Sequence, residues 1–275
     1  MIKSRLLIRD VNQFLLDWAP SSLAESWDPI GLQVGSLGEA LRGIVVSLDP
    51  LEAAIWESVE HEANLLVTHH PLFFKPISAL TDRTPVMRAA RLATQMGVNI
   101  LSFHTNLDAT QDGLNDRLAA KLGLKKIRSW LPSRDPRLPK LGLGRIGEIP
   151  ATSLRDWLPK LARQLKIPHL RFVGDPKHRV QRVAVMTGSG GNYFSEAKAA
   201  GADCLVTGDV KYHAALDAIA EGICLIDVGH HAGEIEMVPL VAARLRAWLK
   251  KRKKNILVHE TRTSDDPFQF YPGKK

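Results

Sequence analysis

The sequence predicts an α/β protein of two related halves with mostly parallel sheets. Three observations carry this. Short apolar runs alternate with helix-like segments, which is the pattern of β-α-β units. One such stretch, Ile44–His70, aligns without a gap on a second, Val183–Asp209, so that the run from Glu62 to Thr68 falls on the run from Gly201 to Thr207. Each stretch is followed by a further helix-like segment and another apolar strand, Gly97–His104 in one case and Gly222–His230 in the other, and the repetition marks an internal duplication.

The remaining elements follow in chain order. Between the two stretches lies a charged segment, Ser129–Lys140, that carries Pro132, Pro136 and Pro139. It breaks any helix and reads as a connector, which puts the domain boundary near residue 130 and the halves at 1–129 and 130–275. Beyond it come a strand candidate over Gly142–Pro150, a helix candidate over Leu154–Leu165 and a short apolar run over Leu170–Val173. From Glu234 to Lys254 the residues Ile235, Val238, Val241, Leu245, Trp248 and Leu249 recur at helical spacing, and Asn255–Thr261 reads as a closing strand. This last segment is expected to pack back on the first half.

Composition bounds the function. A chain of 275 residues with 45% hydrophobic and 24% charged residues buries a core of one to two domains. No apolar run reaches the roughly 18 residues of a membrane span, and the first residues are charged too early for a signal peptide, so the expected location is the cytoplasm, with no membrane partner. The two cysteines, Cys204 and Cys224, sit inside apolar runs and read as buried thiols rather than a disulfide or thiolate metal site. The net charge of +8 is concentrated at Lys250–Lys254, the end of the expected helix, where it reads as a solvated terminus; nucleic-acid binding is the lesser reading. His-Glu-x-x-His, Gly-x-Ser-x-Gly and Walker A patterns are absent.

Three polar clusters stand at carboxyl ends of the apolar strands: His69-His70-Pro71, His104 with Asp108, and His230 with Glu234. Ligands of open α/β sheets bind at such strand ends. His69 and His70 can share a site only where the strand stops, and Pro71 enforces a stop. His230 and Glu234, four apart on a helix that starts after Gly229, stack on one face. Together His69, His70, Asp108, His230 and Glu234 make five nitrogen or carboxylate ligands, more than the three of one catalytic zinc and suited to two ions. The loop Gly188–Gly191 follows a strand and precedes a helix; it reads either as a plain tight turn or as an anion cradle built on Ser189 and Gly190.

The segments GLQVG (Gly31–Gly35), VTHHP, SFHTNLDA, GRIGE, TGSGG, ADCLVTGD, DVGHHAGE and DPF, spread from residue 31 to residue 268, together resemble the GTP cyclohydrolase I type 2 family, also called the Nif-three-like family. The resemblance implies a two-domain α/β fold, a dinuclear metal site in the cleft between the domains, and a ring-shaped homohexamer. It carries the metal ligands onto His69, His70, Asp108, His230 and Glu234, with His104 beside them as a further ligand or supporting partner; chemically, a carboxylate such as Glu234, or His104, is expected to move protons. It also implies hydrolysis of GTP or another phosphorylated small molecule by metal-activated water. Imidazole and carboxylate ligands suit two divalent ions of zinc, iron, manganese, nickel or cobalt alike. Two other classes fit the same residues: a non-catalytic metal carrier or regulatory scaffold, and a nucleic-acid-binding ring, for which affinity would fall steeply with salt.

Overall fold

The computed structural model describes residues 5–271. These divide into two compact units, one running to Leu107 and resuming over Met237–Ser264, the other running over Asp108–Glu236 and resuming from Asp265.

The first unit contains α1 (Ile8–Trp18), β1 (Gly31–Val34), β2 (Gly43–Ser47), α2 (Glu52–Glu60), β3 (Leu65–Thr68), α3 (Pro85–Met96) and β4 (Asn99–Ser102). The unit boundary falls inside α4 (Thr105–Ala109). The second unit follows with α5 (Leu114–Lys121), β5 (Lys125–Pro132), β6 (Gly142–Ser153), α6 (Leu154–Leu165), β7 (Arg171–Val173), β8 (Arg179–Val185), α7 (Phe194–Ala199), β9 (Cys204–Thr207), α8 (Tyr212–Glu221), β10 (Cys224–Asp227) and α9 (His230–Glu234). α10 (Met237–Lys251) and β11 (Leu257–Glu260) return to the first unit.

The first sheet has the order β1-β4-β3-β2-β11, parallel throughout except for β1 at its edge. The second has the order β5-β6-β8-β9-β10-β7, with β8, β9 and β10 parallel and the flanking strands antiparallel. The duplication is visible in the pairing. Ile44 pairs with Leu65 and the aligned Val183 with Cys204, and in each unit the strand preceding the repeat (β1, β7) pairs antiparallel with its last strand (β4, β10).

Central strands are buried at every position, which explains why they read as unbroken apolar runs. Strand alternation splits their side chains between two faces. In the second unit Val183, Val185, Val206 and Ile226 meet Trp157 and Leu161 of α6, while Ala184, Leu205 and Leu225 meet Phe194 and Ala197 of α7. In the first, Val45, Leu66 and Ile100 pack on Ile55 of α2 and on Ala90 and Ala93 of α3. Phe14 of α1 stacks on Trp248 of α10 at 4.9 Å, joining the early chain to the returning segment.

The proline-rich stretch is not a linker between domains. It joins β5 to β6, which pair along their length in one sheet, so the chain enters the second unit near Asp108 rather than near residue 130. Arg145 explains part of this. Its guanidinium, 3% exposed, forms a bidentate pair with Asp116 of α5 (2.5 and 3.0 Å) and donates to the carbonyls of Ala109, Thr110, Gly142 and Gly144. One buried side chain thus binds the residues before α5 to the start of β6. Gly144, at φ +65°, is required there, because a Cβ would sit 2.2 Å from the Trp130 ring nitrogen. No helix among the described residues is long and apolar enough to cross a membrane.

Candidate metal centre

In the first unit, β3 ends at Thr68, whose hydroxyl donates to the carbonyl of His70 (2.8 Å) and turns the chain. The adjacent His69 and His70 therefore escape strand alternation, and their ring centroids lie 5.2 Å apart. His104, two residues beyond β4, lies 5.0 Å from His69 and 5.6 Å from His70. The candidate ligand atoms of the three all fall within 4.8 Å of one another.

Each ring is oriented by an oxygen acceptor. Nδ1 of His69 donates to the Phe103 carbonyl (3.0 Å), Nδ1 of His70 to Asp49 (2.7 Å) and Nδ1 of His104 to Asp28 (3.0 Å). A proton on Nδ1 leaves Nε2 as the coordinating nitrogen in all three, the arrangement seen around metal-bound histidines. Asp28 is itself fixed by the backbone N–H and hydroxyl of Thr105. Burial works against its charge, but the hydrogen bonds from His104 and Thr105 hold its carboxyl below the ordinary range. Two exposed aromatics border the group: Trp27 (60% exposed) and Phe74 (51%) stand edge-on to His104, at 6.0 and 5.6 Å between centroids.

In the second unit, α9 begins directly after β10 and puts His230 and Glu234 one turn apart, with His230 Nε2 2.9 Å from Glu234 Oε2. His230 Nδ1 donates to Asp209 at 2.7 Å, the same scheme as in the first unit. Glu234 is buried, and a Cβ at Gly188 would lie 2.3 Å from its carboxylate, so the loop after β8 can pass only as glycine. The neighbouring Thr187 donates its hydroxyl to Asp108 (2.9 Å), which aligns a second buried carboxylate.

Of the two positions read as an anion cradle, Ser189 is exposed. Gly190 is buried and its N–H donates to the Thr207 hydroxyl at 2.9 Å, with no room for a side chain. Its packing against β9 accounts for the glycine. Sequence reasoning missed the orienting carboxylates Asp28, Asp49 and Asp209. Asp49 and Asp209 lie two residues past the ends of β2 and β9, the strand-end position that singled out the histidines; Asp28 comes from the loop before β1 and carries no such signal.

The donor set fits divalent ions. It consists of imidazole nitrogens and carboxylates; both cysteines are buried within strands of the second sheet. Two ligands held about 2.1 Å from one ion are separated by at most about 4.2 Å, so atoms within 4.8 Å need only small closing motions.

Fold and site define a class: an α/β protein of two repeated units in which strand-end histidines, each oriented through Nδ1, are able to hold metal. Within that class the chain belongs to the Duf34/NIF3 (NGG1p interacting factor 3) family, whose model matches residues 6–267. It is 33% identical over 266 residues to a GTP cyclohydrolase 1 type 2 homolog of Clostridium acetobutylicum, covering 96% of this chain and 99% of the relative. A protein of the same description from Clostridium perfringens is 31% identical over 264 residues, with coverage of 96% and 99%. Among solved structures, a hypothetical protein of Staphylococcus aureus matches with a TM-score of 0.90 at 30% identity, covering 98% of this chain and 100% of its own. A Bacillus cereus protein related to NIF3 shares the fold at a TM-score of 0.91 and 24% identity, over 98% and 100% of the two chains.

Proposed function

We propose that this chain is a divalent-metal-dependent hydrolase of a small, planar, phosphorylated molecule, with GTP the first substrate to assay. The observation that carries the reading is the triple of His69, His70 and His104, each tied through Nδ1 to an oxygen and with candidate ligand atoms within 4.8 Å of one another. Histidines that serve only packing or solubility have no need of three such acceptors.

The side chains proposed to hold two ions are His69, His70, Asp108, His230 and Glu234, with His104 as a further ligand or proton carrier. When bound, the ions supply Lewis-acid polarisation and a more acidic water. The protein's own groups do the rest. Asp49, Asp28 and Asp209 keep the imidazoles in one tautomer and one orientation. Glu234, buried beside His230, and His104, backed by Asp28, are the groups proposed to take up and return a proton. Trp27 and Phe74 offer apolar faces to a flat heterocycle. The names of the Clostridium relatives support a nucleotide as the heterocycle. Assembly into a closed homohexameric ring is part of the same proposal and is decided by sedimentation.

The test is turnover of GTP and a nucleotide and phosphoester panel by metal-free protein reloaded with manganese, zinc, iron or cobalt. Activity should fall by about 10²-fold or more in the His70→Ala and Glu234→Ala variants, with circular dichroism unchanged. Metal uptake without turnover on the whole panel would replace the hydrolase by a metal carrier.

A further inference from the structure

We propose that Glu57, His61 and His259 form a separate metal site, which takes a single borderline transition-metal ion such as zinc(II) or nickel(II) and fastens the returning chain to α2. The three belong to the first unit, and their candidate ligand atoms lie within 4.8 Å of one another. None of them is among the strand-end residues proposed above, and the site does not depend on that reading.

The local fold builds the group. Glu57 and His61 are four apart at the carboxyl end of α2, where His61 caps the helix, so both project from one face. His259 lies in the middle of β11, the edge strand beside β2, opposite Val45. Its ring lies 3.8 Å from that of His61, centroid to centroid.

The carboxylate is held before any ion arrives. Glu57 is 8% exposed and accepts hydrogen bonds from the Thr261 hydroxyl, from the backbone N–H of Arg262 at 3.1 and 3.2 Å, and from His259 Nε2 at 2.8 Å. Burial acts against its charge, yet those bonds keep its carboxyl below the ordinary range, so it is ionised at neutral pH. His61 is half-buried and makes no side-chain hydrogen bond among the described residues; its ring lies against that of His259. An imidazole kept against another imidazole, beside a fixed carboxylate, is a poor packing solution for an isolated chain. It is a good one for a cation.

The exchange is simple. In the ion-free state a proton bridges His259 Nε2 and Glu57 Oε1. An ion takes its place, the ring proton re-forms on Nδ1 of His259 by exchange with solvent, and His61 turns to supply the third donor, with water completing a four-coordinate shell. Two nitrogens and one carboxylate favour zinc, nickel or copper over magnesium or calcium.

The experiment uses the full chain carrying His70→Ala and His230→Ala, which removes donors from the strand-end groups. This protein is dialysed against micromolar zinc chloride and, separately, nickel chloride, and its metal content is measured beside the same protein carrying His61→Ala. The expected result is a loss of about one ion per chain on adding His61→Ala, together with loss of the zinc-dependent rise in Tm. The His61 side chain makes no hydrogen bond among the described residues, and its backbone N–H is kept by alanine, so the replacement tests the ligand without undoing the Glu57 network. Equal metal content and equal zinc-dependent Tm in the two proteins would overturn the proposal and leave Glu57–His259 as a proton-bridged clasp only. Magnesium chloride in place of zinc should give no rise in either.

Discussion

His70 and Asp49 form one of the shortest polar contacts of the strand-end group: Nδ1 of the histidine stands 2.7 Å from Oδ1 of the aspartate. Asp49 follows β2 and His70 follows β3, two parallel neighbours, so the pair is set by the sheet and not by a flexible loop. Removing such an acceptor leaves the ligand in place but frees its ring to rotate and to exchange tautomers. Asp49→Ala is therefore expected to weaken metal binding by about 10- to 100-fold, read by competition with a chromophoric chelator. Unchanged affinity would mean that His70 does not coordinate.

Trp27 and Phe74 are expected to act on substrate and not on metal. Base–aromatic stacking is worth about 1–3 kcal/mol, so Trp27→Ala should raise KM for a purine nucleotide by about tenfold. Metal content should stay the same and kcat should change little. An equal loss of kcat at constant KM would move Trp27 from binding to the chemistry.

Arg145 gives a stability prediction. It is almost fully buried, and its five donors are spent on Asp116 and four carbonyls. Arg145→Met removes all of these hydrogen bonds at once, the Thr110 carbonyl keeping the N–H of Gly113, and a cost of about 3–5 kcal/mol is expected in denaturant unfolding. Asp116→Asn keeps an amide oxygen for the guanidinium and leaves all four carbonyl bonds in place, so it should cost distinctly less. Equal effects would mean that the pair, not the carbonyl bonds, dominates.

The cysteines set an alkaline limit. Burial pushes the Cys204 thiol well up, and burial with the charges of Asp175 and Asp203 pushes Cys224 up to about 11. A thiol whose value is raised on folding favours the folded state below its unfolded value of about 8.5, and that contribution is lost as the pH rises through the folded value. Unfolding free energy should thus decline between about pH 8.5 and 11, less so in Cys224→Ala. Iodoacetamide at pH 8 should label neither thiol until denaturant is added.

Much of this fold was legible because its signals are local. The ends of α6 match the expected helix over Leu154–Leu165, and the aligned positions Ile44 and Val183 occupy equivalent registers. The joining of the chain was not. Three prolines look like a domain linker, and only the pairing of β5 with β6 and the burial of Arg145 show that they form a loop inside one sheet. At the site, the histidines announced themselves by type and strand-end position. Asp28 did not, since its contact with His104 joins residues far apart in sequence and a lone loop aspartate has no periodicity to betray it. Trp27 and Phe74 were silent for the same reason.

The return of α10 and β11 to the first unit has a consequence for how the protein is made. β11 pairs with β2, but it leaves the ribosome only after the long Asp108–Glu236 stretch of the second unit has been synthesised. Until then β2 is an open edge, with backbone groups ready to pair with any passing strand. The second unit, though encoded later, has its whole sheet available once Asp227 has emerged, and nascent chains should acquire protease resistance there first. A nascent chain that has emerged as far as Glu236 would hold a second half with its sheet complete and a first half still waiting for its last strand, which makes that interval the one in which a chaperone has most to protect.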